Sequence, residues 1–380
     1  MPSSSIAGSR NPVTDFSWPN AVWCDDFQQK LLAWFAANRR PLPWRQDYQP
    51  YHVWISEVML QQTRMERCLI YFQRWIVRFP DVAAVAAAER DELLRYWEGL
   101  GYYSRLDNLR RAARALIERH GGALPNDLEQ LQQLPGIGRY TAAAIASIAF
   151  SRDVALVEAN VTRLFARLFD LEQPLYDGAG RRLVVEIAGA LLPPGQARNY
   201  NQALMELGAL LCAPKAPRCP VCPLNGLCLA QKHHTVALRP KPPRAAARTD
   251  LPMAAAALIA GDRILLRRRP AQGMWAGLWE FPGLILQPGE DAAAALRRET
   301  RRLTGLDVIL AKLADIEHHH TRYRVLLDGY LGHLGDLAAC LEDAPGGCRW
   351  VKMEELAAYP LSAGHRRLAR LIPLPVSPHR

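Results

Sequence analysis

The four cysteines just beyond the middle of the chain form its clearest chemical motif. They are spaced Cys-x6-Cys-x2-Cys-x5-Cys and lie within seventeen residues, at Cys212, Cys219, Cys222 and Cys228. Thiolates are soft ligands and bind soft metals. Zinc sites usually pair Cys-x2-Cys elements across a longer insert, whereas a compact, asymmetric loop is typical of a cubane cluster. The spacing therefore predicts a four-cysteine iron–sulfur cluster.

Two glutamates are candidates for acid–base chemistry. Glu57 is the only charged residue in the apolar octet 53–60. Burial there would raise its pKa and keep it protonated near neutral pH, as a general acid requires. The alternative is that Glu57, Gln61 and Arg64 share a solvated helical face. Glu158 precedes an amphipathic segment and is either an ordinary helix-capping acid or a second catalytic carboxylate.

A glycine-rich turn lies between these two acids in the sequence. Residues 134–138 read Leu-Pro-Gly-Ile-Gly, and an alanine-rich helix follows. A tight turn of this kind exposes backbone N–H groups, which suit a phosphate together with the N-terminus of the next helix. Glycine-rich turns alone are weak signals, so an ordinary joint between two helices remains the alternative.

The apolar periodicity predicts helices around these motifs, with almost no period-two alternation before the cysteines. The predicted helices cover 25–40, 51–79 (as one or two helices), 91–97, 109–119 and 200–211. The first half of the chain is therefore predicted to be all-α.

Trp44, in a loop at 42–45, either stacks on a base or anchors the loop to the core. Tyr102 and Tyr103, in a loop flanked by glycines, are either a wedge for a duplex or a plug between helices.

Length and composition indicate two domains. A single core rarely outgrows about 250–300 residues, and the chain has 380. Beyond a basic, proline-rich linker at 232–250, strands are predicted at 253–259, 263–267, 308–313 and 323–331, with a helix at 291–303. This mixture of strands and a helix predicts a smaller α+β domain over 251–372. The ends, 1–20 and 373–380, are predicted to be tails, the first of them disordered.

The charge and the cysteine count exclude some classes of protein. A net charge of +10 and a pI near 9.4 favour a polyanionic partner. No apolar run approaches the roughly 20 residues of a membrane span. Eight cysteines in a chain of this length do not form a secreted disulfide scaffold, so a reducing compartment is expected.

The motifs together resemble those of the helix-hairpin-helix DNA glycosylase superfamily, and within it the MutY-type adenine DNA glycosylases, over about residues 21–370. Besides the glycine turn and the cysteines, the motifs are Leu-Pro-Trp-Arg at 42–45, Ser-Glu-Val-Met-Leu-Gln-Gln-Thr at 56–63 and Gly-Leu-Gly-Tyr-Tyr at 99–103. The resemblance implies an all-α helix-hairpin-helix glycosylase domain over 21–231, with a [4Fe-4S] cluster loop at 212–228. It also implies a Nudix-like domain that recognises 8-oxoguanine.

The resemblance implies removal of adenine from an A:8-oxoguanine or A:G mispair in double-stranded DNA. The protein is then expected to be a monomer in the bacterial cytoplasm, associated with the nucleoid through DNA and with no membrane. Glu57 would protonate the leaving base and Glu158 would stabilise the sugar cation, with Tyr140 and Asn160 beside it. The implied adenine pocket consists of Arg40, Leu42, Trp44 and Glu206. The implied DNA-binding residues are Arg45, Gln62, Tyr102, Gly136, Gly138, Arg163 and Thr321.

Tyr140 stands where bifunctional, endonuclease-III-like relatives carry a lysine that attacks the sugar. Tyrosine cannot form a Schiff base, so a monofunctional enzyme is expected. The Nudix-like domain carries Arg302 and Leu303 where the family has metal-binding acids, which disfavours a pyrophosphatase.

Two further departures concern specificity and rate. The chain has Glu158-Ala159 where the family has Asp-Gly, so a catalytically impaired lesion-binding protein is the rival hypothesis. His320-Thr321-Arg322 replaces Phe-Ser-His in the implied 8-oxoguanine loop. The run His318–His320 is interpreted as a solvated loop in preference to a metal site.

Overall fold

A computed structural model describes residues 16–242, 248–270, 272–320, 322–334 and 347–373 of the chain. The described residues form two compact units. The first comprises those within Met1–Ala86 and Arg111–Ala245, and the second those within Ala87–Arg110 and Ala246–Arg380. Within these ranges, no helix has the length and apolar character needed to cross a bilayer.

The chain up to the linker is helical, as predicted. The helices are α1 (Ala21–Asn38), α2 (Pro50–Leu60), α3 (Met65–Arg78), α4 (Val82–Ala87), α5 (Arg90–Trp97), α6 (Ser104–His120), α7 (Leu128–Gln132), α8 (Arg139–Ala144), α9 (Ala159–Leu168), α10 (Gly178–Ala190), α11 (Ala197–Leu210) and α12 (Leu229–Lys232). Short 3-10 turns cover Pro43–Arg45, Cys219–Val221, Asn225–Leu227 and Val236–Leu238. The predicted segment 51–79 is two helices, α2 and α3.

One core of the first unit is built around α1, α9, α10 and α11. In α1 the buried side chains are Phe27, Leu31 and Phe35, one helical turn apart, so they form one apolar stripe. Asn20 begins this helix by accepting a hydrogen bond from the Trp23 N–H at 2.9 Å. This packing fixes α9 and α11, the two helices that carry Glu158 and Glu206.

A smaller core joins α2 to α8. Its buried members are Val53, Ala143, Ala144, Ile148 and Leu156. The alanine-rich sequence lets the two helices approach closely, and α8 continues into a π-helical turn at Ile145–Ala149. This contact brings the middle of α2, and so Glu57, next to the start of α8.

The second unit contains a seven-stranded sheet. Its strands are β1 (Thr249–Ala260), β2 (Arg263–Arg268), β3 (Trp279–Glu280), β4 (Gly283–Ile285), β5 (Leu310–His320), β6 (Tyr323–His333) and β7 (Cys348–Lys352). The order is β3-β2-β1-β6-β5, with β4 paired to β1 and β7 paired to β2. β1 runs parallel to β6 and antiparallel to β2 and β4, so the sheet is mixed. After β1 the helices are α13 (Ala292–Thr304) and α14 (Ala363–Ala369), and a 3-10 turn covers Met353–Ala358. The unit also includes α5, through the segment Ala87–Arg110.

Three features of this part of the chain differ from the sequence-based prediction. His318–His320 is not a solvated loop: it ends β5, and His318 is buried. The linker is not wholly exposed, because Arg239 is buried and pairs with Asp170 at 2.7 Å and with Glu172 at 2.7 Å. The segment Ala87–Arg110 groups with the second unit, which nothing in the sequence indicates.

Candidate active site and cysteine pocket

Glu57 lies on α2 in an apolar environment. Glu57 is only 4% exposed, so the alternative that it lies on a solvated helical face is wrong. The Tyr140 hydroxyl, from the first turn of α8, donates to Glu57 Oε2 at 2.8 Å. Burial raises the pKa of Glu57 to about 7, against the opposing effects of this hydrogen bond and of the Arg45 charge. A carboxyl group with this pKa can act as an acid near neutral pH.

Glu158 caps the N-terminus of α9. Its carboxylate accepts a hydrogen bond from the Val161 N–H at 3.1 Å. Burial raises the pKa of Glu158, while hydrogen bonds from the backbone of Asn160 and Val161 oppose that rise. Ala159 is the first helical residue after the cap, a position that does not require glycine. The Ala159 substitution therefore leaves the backbone undistorted.

The two acids and Tyr140 form one electrostatic group. The negative charge of Glu158 contributes to the raised pKa of Glu57. Burial, followed by the charges of Glu57 and Glu158, raises the pKa of Tyr140 well above its usual value. Tyr140 therefore remains a protonated donor to Glu57, and the charge of Glu158 acts on both groups.

Two of the four residues of the implied adenine pocket, Arg40 and Glu206, contact each other at a buried carboxylate. Glu206, on α11, receives Arg40 Nε at 3.0 Å and Arg45 Nη2 at 2.6 Å. Burial alone would raise the pKa of Glu206, but these hydrogen bonds outweigh burial and hold it below its usual value. Leu42 and Trp44 are both buried, and the Trp44 ring meets Phe72 edge-on with centroids 5.0 Å apart. The core interpretation of Trp44 is therefore confirmed.

Arg45 is held inside the domain, so its predicted contact with DNA is not supported. Its side chain is 9% exposed. Besides Glu206, it donates to Gln202 Oε1 at 2.8 Å and to the Arg40 carbonyl at 3.1 Å. The family resemblance implied a DNA contact for Arg45, but the polar partners of its side chain in the described residues are internal groups.

Arg163 is a second implied DNA-binding arginine whose side chain contacts internal groups. It is buried and donates to the carbonyl of Cys212 at 2.8 Å, to the carbonyl of Gly208 at 2.9 Å and to Asn160 Oδ1 at 2.7 Å. The predicted DNA contact of Arg163 is therefore also not supported by this geometry. Its role here is to tie the first turns of α9 to the end of α11 and the start of the cysteine loop.

The glycine turn has the form expected of a phosphate site. Gly136 has a φ of +76° and so needs glycine's freedom. Gly138 is exposed and caps α8 with no side chain bound to the first N–H groups. The backbone donors at this helix start are therefore open to an anion.

Two of the implied DNA-binding residues, Gln62 and Tyr102, have unusual backbones. Gln62 has a φ of +58° and Tyr102 a φ of +48°, values that are uncommon outside glycine. Such conformations cluster at binding sites. Tyr103, by contrast, is buried and fits the alternative of a plug. Thr321 lies outside the described residues.

The four cysteines surround one small cavity. They line a space of about 30 Å³ with apolar neighbours such as Leu164 and Leu224. Burial raises the pKa of Cys219, Cys222 and Cys228, and the charge of Cys212 adds to it in each case. In the described part of the chain, no three His, Cys, Asp or Glu side chains are arranged to hold a single metal ion.

Arg167 is the residue that sequence reasoning missed. It is buried on α9, one turn after Arg163, and donates to Cys212 Sγ at 3.4 Å. It also donates to the carbonyls of Cys212, Ala213 and Pro214 on one side of the loop and of Val236 and Arg239 on the other. Two arginines at i and i+4 on an amphipathic helix were the available signal.

Among the described residues of α13, where the Nudix metal site is expected, no pair of acids is free of arginine partners. Glu299 receives Arg302 Nε at 2.8 Å and Arg267 Nη1 at 2.8 Å. These charges hold the pKa of Glu299 below its usual value, with the Arg302 hydrogen bond as the largest cause. Leu303 is buried. Guanidinium groups therefore occupy the carboxylate that a divalent cation would need, and the residues present do not fit a Nudix cation.

Comparison with known proteins agrees with both halves of this architecture. Residues 55–185 match the model of the HhH-GPD superfamily of base excision DNA repair proteins, and residues 254–371 match the NUDIX domain model. Among solved structures, a thermostable thymine-DNA glycosylase aligns with a TM-score of 0.51 and 27% identity, covering 56% of this chain and 98% of that one. An endonuclease III–DNA complex aligns with a TM-score of 0.50 and 22% identity, a likeness of fold.

Two curated relatives cover most of the chain. The adenine DNA glycosylase of Mus musculus is 34% identical over 400 residues, which span 91% of this chain and 77% of the relative. The adenine DNA glycosylase of Homo sapiens is 31% identical over 403 residues, spanning 91% of this chain and 73% of the relative. The likeness runs through both units, and the chain belongs to the adenine DNA glycosylase family.

Proposed function

We propose that the protein is a monofunctional DNA glycosylase that hydrolyses the N-glycosidic bond of adenine opposite 8-oxoguanine or guanine. The observation that carries the proposal is the buried Glu57, with a pKa of about 7, hydrogen-bonded by Tyr140 and electrostatically linked to Glu158. Two carboxyl groups in different protonation states are what cleavage of a glycosidic bond requires.

Glu57 is the general acid of the proposed reaction. A neutral adenine is a poor leaving group because it would depart as an anion. Protonation at a ring nitrogen lowers this barrier, and a carboxyl group with a pKa near the working pH is well matched to the transfer. Burial on α2 raises the pKa of Glu57 to about 7, so a substantial fraction of Glu57 carries a proton near neutral pH.

Glu158 is the second carboxylate. As the base departs, the sugar becomes an oxocarbenium-like cation, which a nearby anion stabilises. The N–H groups at the start of α9 favour the charged form of Glu158. Tyr140 carries no amine, so water rather than an enzyme lysine completes the cleavage, and the product is an abasic site.

Access to the base requires that the nucleotide leave the helix stack. The net charge of +10, the open donors after Gly138 and the strained backbones of Gln62 and Tyr102 support binding and distortion of a duplex. The Nudix-like unit is proposed to recognise 8-oxoguanine rather than cleave a pyrophosphate, because Glu299 is neutralised by arginines.

The cysteine pocket is proposed to hold a [4Fe-4S] cluster through Cys212, Cys219, Cys222 and Cys228. The fit rests on the four thiols around one apolar cavity and on Arg167, whose guanidinium donates to Cys212 Sγ. When bound, the cluster would crosslink the loop that follows α11. Arg163 and Arg167 hold that loop to α9, the helix that Glu158 caps.

One observation favours the rival, a lesion-binding protein with impaired catalysis. The Glu158 carboxylate is bound to the Val161 N–H, as an ordinary capping residue would be. A single-turnover assay with enzyme in excess decides between the two. The glycosylase releases adenine from A:8-oxoguanine duplexes, more slowly from A:G and not from A:T, and Glu57→Gln removes the activity. Binding without release would support the rival.

The same samples test the monofunctional assignment. Borohydride treatment traps the Schiff base of a bifunctional enzyme, so no stable protein–DNA adduct is expected. An adduct in high yield would contradict the role assigned to Tyr140.

A further inference from the structure

A row of residues on α11 faces the segment that leads into Glu158. Asn201, Met205 and Gly208 lie at i, i+4 and i+7 and so share one helical face. Met205 Sδ lies 3.8 Å from the Tyr140 hydroxyl oxygen. This row is distinct from Gln202 and Glu206, which bind the arginines of the Arg40–Arg45 loop.

Asn201 is fully buried and holds the backbone on the N-terminal side of Glu158. Its Oδ1 accepts a hydrogen bond from the Leu156 N–H at 3.1 Å, and its Nδ2 donates to the Val154 carbonyl at 2.8 Å. Residues 151–157 belong to no helix or strand, so they lack a ladder to satisfy their backbone groups. One side-chain amide supplies both the donor and the acceptor.

Gly208 fixes the backbone on the C-terminal side of Glu158. A Cβ atom built at Gly208 would lie 2.8 Å from Asn160 Cβ and 3.0 Å from the Asn160 carbonyl oxygen. The first turn of α9 therefore rests directly on the backbone of α11. Glu158 lies two residues beyond Leu156 and two residues before Asn160, so both flanks of the carboxylate are anchored to the same helix.

We infer that Asn201 is a positioning residue that sets the place of the Glu158 carboxylate relative to Glu57, with Gly208 as the second anchor. The inference rests on the proposed glycosylase function. With the backbone held at both sides, only the side-chain torsions of Glu158 remain free. An error of about 1 Å in such a placement can cost on the order of 10²-fold in rate.

The test separates chemistry from binding in the full-length protein. Asn201→Ala is expected to lower the single-turnover rate of adenine release by about 10²-fold. The Kd for a duplex with non-hydrolysable 2′-fluoroadenosine opposite 8-oxoguanine should change less than about threefold. Hydrogen exchange should show the Leu156 amide protected in the wild type and exposed in Asn201→Ala. Gly208→Ala should give the same loss of rate through the other anchor.

A conservative variant makes the test sharper. In Asn201→Asp, a protonated carboxyl group reproduces the donor and the acceptor of the amide, whereas the ionised form repels the Val154 carbonyl. The ratio of its rate to the wild-type rate should therefore rise as the pH falls. A role in general stability alone would not produce this trend.

Leu116→Ala, in α6 and outside the core around α9 and α11, is the matched stability control. It should lower the melting temperature and leave the rate of release unchanged below that temperature. The inference is overturned if Asn201→Ala keeps the wild-type rate, or if it loses rate and affinity in equal proportion. If the wild type itself releases no adenine, the proposed function fails, and hydrogen exchange at Leu156 still reports separately whether Asn201 anchors the segment.

Discussion

The hydrogen bond from Tyr140 to Glu57 predicts a measurable shift in the pH dependence of base release. The rate should fall as the pH rises through about 7, because only protonated Glu57 can donate. The hydroxyl of Tyr140 stabilises the ionised form of Glu57 and so holds its pKa down. Tyr140→Phe removes that donor, and the pKa of Glu57 should therefore rise.

The size of the shift follows from the type of hydrogen bond. A hydrogen bond to a charged group contributes about 1.5–3 kcal/mol. One pKa unit corresponds to about 1.4 kcal/mol, so the alkaline limb should move up by about 1–2 units. At pH 8 the wild type would retain about one-tenth of its acid-plateau rate, and the variant about half or more of its own plateau.

The assay is single-turnover adenine release from pH 5.5 to 9.5, with each profile normalised to its own plateau. Normalisation matters because the loss of Tyr140 also lowers the plateau itself. Thr141→Val is the control: it removes the acceptor of the Gln61 side chain at 3.3 Å, one residue along α8, without touching Glu57. The alkaline limb of the Thr141→Val profile should stay at the same pH as that of the wild type. An alkaline limb that stays fixed or moves down in Tyr140→Phe would refute the assignment of Glu57 as the acid.

Three other perturbations have outcomes that the structure specifies. Glu57 has a folded-state pKa above its unfolded value, so its contribution to stability is present at low pH and is lost as the pH rises from about 4.5 through about 7. Glu57→Gln does not titrate, so its unfolding free energy relative to the wild type should be up to about 3 kcal/mol higher at pH 8.5 than at pH 4.5, measured by urea denaturation at both pH values. Glu158→Asp restores the family residue and a better N-cap, so its single-turnover rate should rise above that of the wild type. Glu158→Ala should lose most of the rate and about 1 kcal/mol of unfolding free energy. Equal rates in all three proteins would remove Glu158 from the mechanism. Cys222→Ser should abolish the visible absorbance and the bound iron of purified protein, whereas Cys68→Ser, a buried cysteine of α3, should keep both.

The sequence was sufficient for the elements whose pattern is long. Helix α11 and strands β1 and β6 have enough residues for their periodicity to be recognised. Strands β3 and β4 have only two and three residues, so no alternation can be read from them. The seven-stranded sheet could therefore be predicted only in part.

The apolar neighbours of Glu57 in the sequence left a buried acid and a solvated helical face both open, and only the family resemblance favoured the buried acid that the structure shows. The family resemblance implied that Arg45 and Arg163 bind DNA. In the structure, partners far along the chain hold both side chains: Arg45 meets Glu206, 161 residues away, and Arg163 meets the Cys212 carbonyl, 49 residues away. Only tertiary packing determines which arginine meets an internal acceptor and which meets solvent.

The long first strand of the sheet has a consequence for where the C-terminal unit can be cut from the chain. β1 begins at Thr249 and forms eleven parallel pairs with β6, from Thr249–Tyr323 to Ile259–His333. A fragment starting at residue 254, where the NUDIX match begins, would lack the first five of them. It would also lack Asp250, whose carboxylate pairs with Arg324 at 2.6 Å. An excised C-terminal fragment that is meant to keep its central strand intact should start at or before Thr249.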